Sequence, residues 1–215
     1  MSTMEKLIEG IRTFHETYYR ERRELFERLS LGQHPLALMI TCSDSRVAPT
    51  IITQADPGEI FTLRNAGNIV PPAGTTRGGE AATIEYAIEV LGVEDVVVCG
   101  HSNCGAVKAL MDRQPLDALP HVATWLSHAE SLPREVAERY PHAAGPELLA
   151  RAVERNAVAQ LDNLRSYPSV ATRVERGALR LHAWVFDIGS GVVAEYDEER
   201  DEFRSLLARR AGQAA

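Results

Sequence analysis

The chain has 215 residues, enough for one domain with a sizeable buried core. Apolar residues make up 45% and charged residues 25%, the ordinary balance of a soluble globular protein. Lys+Arg 23 against Asp+Glu 30 leaves a formal net charge of −7, which argues against a general nucleic-acid binder because that role needs a basic footprint.

The N-terminal stretch has no basic segment followed by an apolar one, so it does not read as a secretion signal. No apolar run approaches the roughly 18 residues of a membrane span, and the expected location is the cytoplasm, with no membrane or nucleic-acid partner. Leu7, Ile8, Ile11, Phe14, Tyr18, Leu25, Phe26 and Leu29 recur at helical spacing, and Ser2 with Glu5 forms a potential capping box. Residues 1–31 are therefore expected to be an amphipathic helical arm, packed on its own domain or embracing a second subunit. Residues 32–215 are expected to form the rest of a single domain, an α/β core with a C-terminal hairpin.

Leu36 to Thr41 reads as a short buried strand with Cys42 at its end, and Ile60 to Leu63 as a second strand. Pro71-Pro72 and Gly78-Gly79 bound a loop, and Glu80 to Leu91 has helical periodicity with Gly92 as its stop. Asp95 to Cys99 is the clearest buried strand, followed by His101, Cys104 and a helix from Ala106 to Met111. Leu119 to about Val174 reads as mostly helical, broken by Pro133, Pro141, Pro146 and Pro168. Leu179 to Ile188 reads as a strand, Gly189-Ser190-Gly191 as a tight turn, and Val192 to Tyr196 as its antiparallel partner. Strands separated by helices predict a mostly parallel sheet, four parallel strands plus an antiparallel edge strand, flanked by helices.

The chemistry lies in two split segments, Cys42-Ser43-Asp44-Ser45-Arg46 and His101-Ser102-Asn103-Cys104-Gly105. Two Cys and one His are zinc ligand types, and three protein ligands leave a fourth tetrahedral position open, as a catalytic zinc requires. Both segments follow a strand, and sites in open α/β sheets form beyond the carboxyl ends of strands where strand order reverses. A structural zinc would want a fourth Cys or His, and the spare thiol, Cys99, is expected to point into the core. Arg46 stands too close to Cys42 for a phosphatase-type phosphate loop, and a redox CxxC pair is absent. An odd, sparse set of three Cys suits a reducing compartment and no disulfide framework. His15, His34, His121, His128, His142 and His182 lack ligand-like company and read as surface or hydrogen-bonded residues.

CSDSR followed by HSNCG resembles the CxDxR…HxxC pattern of the β-class carbonic anhydrases, and the combination is specific. Gly32-Gln33-His34-Pro35, Pro57 to Phe61, Arg64 to Asn68 and Ile84 to Ala87 extend the resemblance, which runs more loosely through Ala183 to Asp187. The long helical insert and HSNCG are similar to the plant-type and bacterial cyanase-associated members. The resemblance implies reversible hydration of carbon dioxide to bicarbonate and a proton by a zinc-bound hydroxide. It also implies one Zn2+ per subunit on Cys42, His101 and Cys104, and an Asp44–Arg46 catalytic dyad that orients the hydroxide. Gln33, Phe61, Ala66 and Tyr86 would line a small pocket at a subunit interface of a homo-oligomer, with the Gly105 N–H as a further donor. Family members that close, with the Asp turned onto zinc, resemble one another in having Trp three residues and Gly one residue before the first Cys. Met39 and Thr41 stand there in this chain, which predicts the open form with Asp44 paired to Arg46. The competing readings are a non-catalytic zinc- or anion-binding module on the same fold, and a relative that hydrolyses carbon disulfide or carbonyl sulfide.

Overall fold

The computed structural model describes residues 2–75 and 77–211, and the chain divides into two units, Met1–His34 and Pro35–Ala215. In the first unit, helix α1 (Thr3–Phe14) opens on the expected capping box: Ser2 Oγ accepts from the Glu5 N–H while a Glu5 carboxylate oxygen accepts from the Ser2 N–H. A π-helical turn, His15–Tyr19, extends it, and at Arg22 (φ −115°, ψ 25°) the backbone leaves the helix before α2 (Arg23–Leu29). The apolar spacing expected to run through one helical segment is thus split in two. The break lets Phe26 fold back edge-on against Phe14, with ring centroids 5.8 Å apart, and against Tyr19 at 5.1 Å. α1 buries none of its residues; Met4, Leu7, Ile8 and Ile11 are all exposed.

In the second unit, the described residues form a six-stranded sheet in the order β2-β1-β3-β4-β5-β6. β1 (Ala37–Cys42) and β3 (Asp95–His101) are buried along almost their whole length, which is why they read as continuous apolar runs. β2 (Ile60–Asn65) pairs with β1 at one edge, and β4 (Arg180–Phe186) pairs with β3, all in parallel. β5 (Val193–Asp197) and β6 (Glu202–Ser205) then add in antiparallel fashion. The sequence reading provided one antiparallel edge strand, and β6 corrects it. Its four residues alternate charge with Phe203, the one apolar side chain, which packs against the Tyr196 ring at 5.5 Å.

Between the strands lie α3 (Pro49–Thr53), α4 (Gly79–Glu85, continued by a π-helical turn to Val90), α5 (Gly105–Met111), α6 (Pro120–Leu126), α7 (Leu132–Arg139), α8 (Gly145–Arg165) and α9 (Pro168–Glu175). Pro133, Pro146 and Pro168, expected as breaks, stand in the first turns of α7, α8 and α9, where a missing N–H costs nothing. α8 packs on β3 and β4, and its Val153 approaches so closely that a Cβ at Gly100 would stand 3.2 Å from Val153 Cγ1. The main core gathers Leu38, Ile40, Val96, Val98, Ala183, Ile84, Ile88, Leu161 and Leu164 on that face.

The chain leaves β1 to one side for β2 and returns on the other side as β3. The carboxyl ends of β1 and β3 are therefore neighbours at a point where strand order reverses, the crevice position where open α/β sheets build sites.

Candidate metal centre

Cys42 is the last residue of β1, His101 the last of β3, and Cys104 the residue that precedes the first turn of α5. All three are buried, His101 completely, and their ligand atoms lie within 4.8 Å of one another. Register explains the meeting: Thr41 on β1 pairs with Cys99 on β3, so both strands release their ligand segments at the same level.

The electrostatics of this group fit a divalent cation. The Cys104 thiol beside it lowers Cys42 to about 4, and in return the Cys42 sulfur, with burial, pushes the Cys104 thiol up. The pocket thus tolerates one negative sulfur easily and the second only with a cation present. His101 Nδ1 lies 3.0 Å from the Ser102 carbonyl oxygen, an acceptor, so Nδ1 carries the proton and Nε2 offers a lone pair. That Nε2 is buried and has no hydrogen-bond partner among the described residues. A buried lone pair facing two sulfurs is costly unless it binds a metal, and Cys and His are the donor set zinc takes. Cys99 does not join the group. It is fully buried beside Met39 and Val97, and burial pushes its thiol up to about 12.

Asp44 and Arg46 meet as a fork: Arg46 Nε donates to Asp44 Oδ1 at 2.9 Å and Nη2 to Oδ2 at 2.7 Å. These bonds, with a third from the Arg46 backbone N–H at 3.0 Å, hold the Asp44 carboxyl well below the usual carboxylate range. Asp44 Oδ2 lies 3.8 Å from His101 Nε2, so the carboxylate borders the ligand group without replacing a ligand. Arg46 also donates to the Asn103 carbonyl at 3.3 Å, which ties the two motif segments together.

Arg64, to which the sequence reading gave no role of its own, fixes the first of those segments. From β2 it donates to the carbonyls of Cys42 (3.1 and 3.0 Å) and Asp44 (2.8 Å). Its signal in the sequence was a cation on an edge strand, which looks like any solvated residue. The Gly67 N–H, 3.3 Å from Cys42 Sγ, was equally hidden, because a backbone donor has no residue type to read.

The expected pocket residues are less concentrated. The Phe61 and Tyr86 rings pack together at 5.9 Å, with Tyr86 44% exposed; Ala66 and Gly105 are exposed; Gln33 belongs to the first unit. His182 takes the hydrogen-bonded role expected of it, Nδ1 facing Glu195 Oε1 at 2.7 Å and Nε2 facing Asp95 Oδ1 at 2.9 Å.

A family model described as carbonic anhydrase matches residues 37–193, which contain the whole ligand group and the Asp44–Arg46 pair. The chain belongs to the β-carbonic anhydrase family. It is 47% identical over 207 residues to a carbonic anhydrase of Synechocystis sp., covering 96% of this chain and 76% of that protein. The solved β-carbonic anhydrase CcaA superposes with a TM-score of 0.92 at 47% identity, over 95% of this chain and 100% of the other. One of two β-carbonic anhydrases from Sordaria macrospora, described as tetrameric, superposes with a TM-score of 0.82 at 29% identity, over 90% and 96% of the two chains. Carbon dioxide hydration is general to the family, and its β members are zinc enzymes. Among the described residues no helix is long and apolar enough to cross a membrane.

Proposed function

We propose that this chain hydrates carbon dioxide reversibly through a zinc ion, one per subunit, held by Cys42, His101 and Cys104, with Asp44 and Arg46 as the catalytic pair. The observation that carries the reading is the buried, unpartnered His101 Nε2 facing two thiols with a forked Asp44–Arg46 pair at its border. A zinc ion there supplies Lewis acidity, which brings the acidity of water from about 15.7 to about 7. Asp44, ionised by its fork with Arg46, accepts hydrogen bonds and donates none. By accepting a hydrogen bond from the nucleophile's O–H, without removing its proton, it would turn a nucleophile lone pair toward the substrate carbon. Arg46 keeps that carboxylate charged and aimed, and both of its fork bonds must break before Asp44 can turn toward the ligands. In the resting enzyme Asp44 accordingly stays with Arg46. An X-ray absorption or crystallographic zinc shell containing an Asp44 oxygen at neutral pH would overturn this.

Phe61, Ala66 and Tyr86 offer apolar walls suited to a linear molecule, and the Gly105 N–H a donor to a substrate oxygen; the donor role of Gln33 rests on the family resemblance alone. The exposed apolar face of α1 supports a homo-oligomer in which residues 1–31 act as an arm to a core of residues 32–215 within one domain. Three cysteines free of disulfides support a cytoplasmic location.

Stopped-flow hydration with an indicator dye tests the chemistry. Cys42→Ala should lose both zinc and turnover. Asp44→Asn should keep zinc while kcat falls about 100-fold or more, the loss typical of a positioned acid–base group. Turnover of Asp44→Asn equal to wild type would remove Asp44 from the mechanism, and wild type no faster than Cys42→Ala would remove the enzyme reading.

A further inference from the structure

The peptide joining Ala66 to Gly67 is held at both ends of its dipole. Its carbonyl accepts from Trp125 Nε1 at 2.8 Å, and its N–H reaches Cys42 Sγ at 3.3 Å. One planar amide therefore connects the indole of α6 to a sulfur of the ligand group. The next carbonyl along, that of Gly67, accepts from Asn156 Nδ2 of α8 at 2.9 Å, which stops the peptide from swivelling. Gly67 has no room for adjustment either: at φ +79° a Cβ would meet Ala106 Cβ at 2.9 Å. Four elements distant in sequence, β1, α5, α6 and α8, thus meet at Ala66 and Gly67, and the hydration chemistry derived above gives Trp125 no part.

We propose that Trp125 is a positioning residue of the metal centre, whose indole N–H orients and polarises the 66–67 peptide so that the Gly67 N–H stays on the Cys42 sulfur. The inference rests on the reading of Cys42 as a metal ligand. A donor on one side of an amide strengthens the bond made on its other side, since chains of hydrogen bonds polarise one another. An N–H on a thiolate draws charge from the sulfur and fixes the direction of its remaining lone pairs. Outer partners of this kind typically change metal affinity or activity by about 10–100-fold. Trp125 is half-buried and its ring meets His128 edge-on at 5.8 Å, so Phe can keep the ring contact and lose only the donor.

The test compares wild type and Trp125→Phe loaded with cobalt(II) or zinc. If the indole N–H acts through the peptide, the thiolate-to-cobalt charge-transfer band moves to lower energy in the variant, because its sulfur is less stabilised. Zinc also passes to a competing chelator about tenfold faster, while circular dichroism and melting temperature stay close to wild type. A folded variant with the wild-type band and release rate overturns the proposal. Should the variant fail to fold, wild type loaded with cadmium-113 decides: the Gly67 amide proton should show scalar coupling to the metal across N–H···S, and no coupling overturns the proposal. Wild type that takes up neither cobalt nor cadmium overturns the metal-centre reading itself, and this proposal with it.

Discussion

At Gly67 the backbone takes φ +79°, and the nearest neighbour of an added Cβ would be Ala106 Cβ at 2.9 Å. Left-handed backbone costs a non-glycine residue about 1–2 kcal/mol, and crowding a packed neighbour adds about 1–3 kcal/mol. Gly67→Ala is therefore expected to destabilise the fold by about 2–5 kcal/mol in urea denaturation, and to weaken zinc retention because the N–H on Cys42 Sγ is displaced. A variant with the wild-type midpoint would show that the loop relaxes around the methyl. At this scale the sequence was legible where function needs a side-chain type. Cys42, His101, Cys104, Asp44 and Arg46 were chosen on ligand chemistry and charge, and the structure brings those five together. Arg64 and Gly67 were not legible as working residues, since each acts through a backbone group, carbonyls that Arg64 donates to and the Gly67 N–H itself, twenty or more positions from its partner.

Among the elements, strands were the most readable and polar helix faces the least. β1 and β3 announce themselves as apolar runs, whereas β6 is too short and too charged to do so. α8 carries Asn156 and Gln160, which look like solvent-facing residues of an amphipathic helix yet are each 1% exposed. With Asn163 they form a ladder against the segment after β2: Asn156 Nδ2 donates to the Gly67 carbonyl at 2.9 Å, Gln160 Oε1 accepts from the Val70 N–H at 2.8 Å, and Asn163 Nδ2 donates to the Val70 carbonyl at 2.9 Å. Periodicity cannot show that the irregular segment has backbone groups to satisfy there. A second tie between elements titrates. Arg180 at the start of β4 forks onto Asp95 at the start of β3, at 2.7 and 2.6 Å. These bonds lower the Asp95 carboxyl in the folded state, with a smaller contribution from His182. A lowered carboxyl stabilises the fold above its unfolded value, about 3.9, and the gain is lost as pH falls through the folded value. Asp95→Asn should thus be less stable than wild type at pH 7, by under about 1 kcal/mol given solvent screening. The two urea midpoints should converge toward pH 2–3. A difference that grows toward acid would contradict the assignment.

For the molecule as a whole, the candidate metal centre sits where segments from two strands and a helix start meet. Cys42 ends β1, His101 ends β3, and Cys104 opens α5, so a metal on all three links two strands and a helix start. A ligand that binds only the folded state adds RT ln(1 + [L]/Kd), about 2.7 kcal/mol at a hundredfold excess over Kd. In a chain of 215 residues each kcal/mol moves the melting temperature by about 2–4 °C. Stripping zinc with a chelator should accordingly lower the melting temperature by roughly 5–10 °C, and adding zinc back should restore it. The size of the effect should depend on pH with a definite sign. The Cys42 sulfur and burial push the Cys104 thiol up, and that proton must leave before the second sulfur can bind. Acid therefore competes with the metal, and the gap between loaded and stripped protein should widen from pH 6 to pH 8 in differential scanning calorimetry. A gap that is constant across that range would mean that metal binding displaces no proton from the group, against the buried pair of sulfurs seen at the end of β1 and the start of α5.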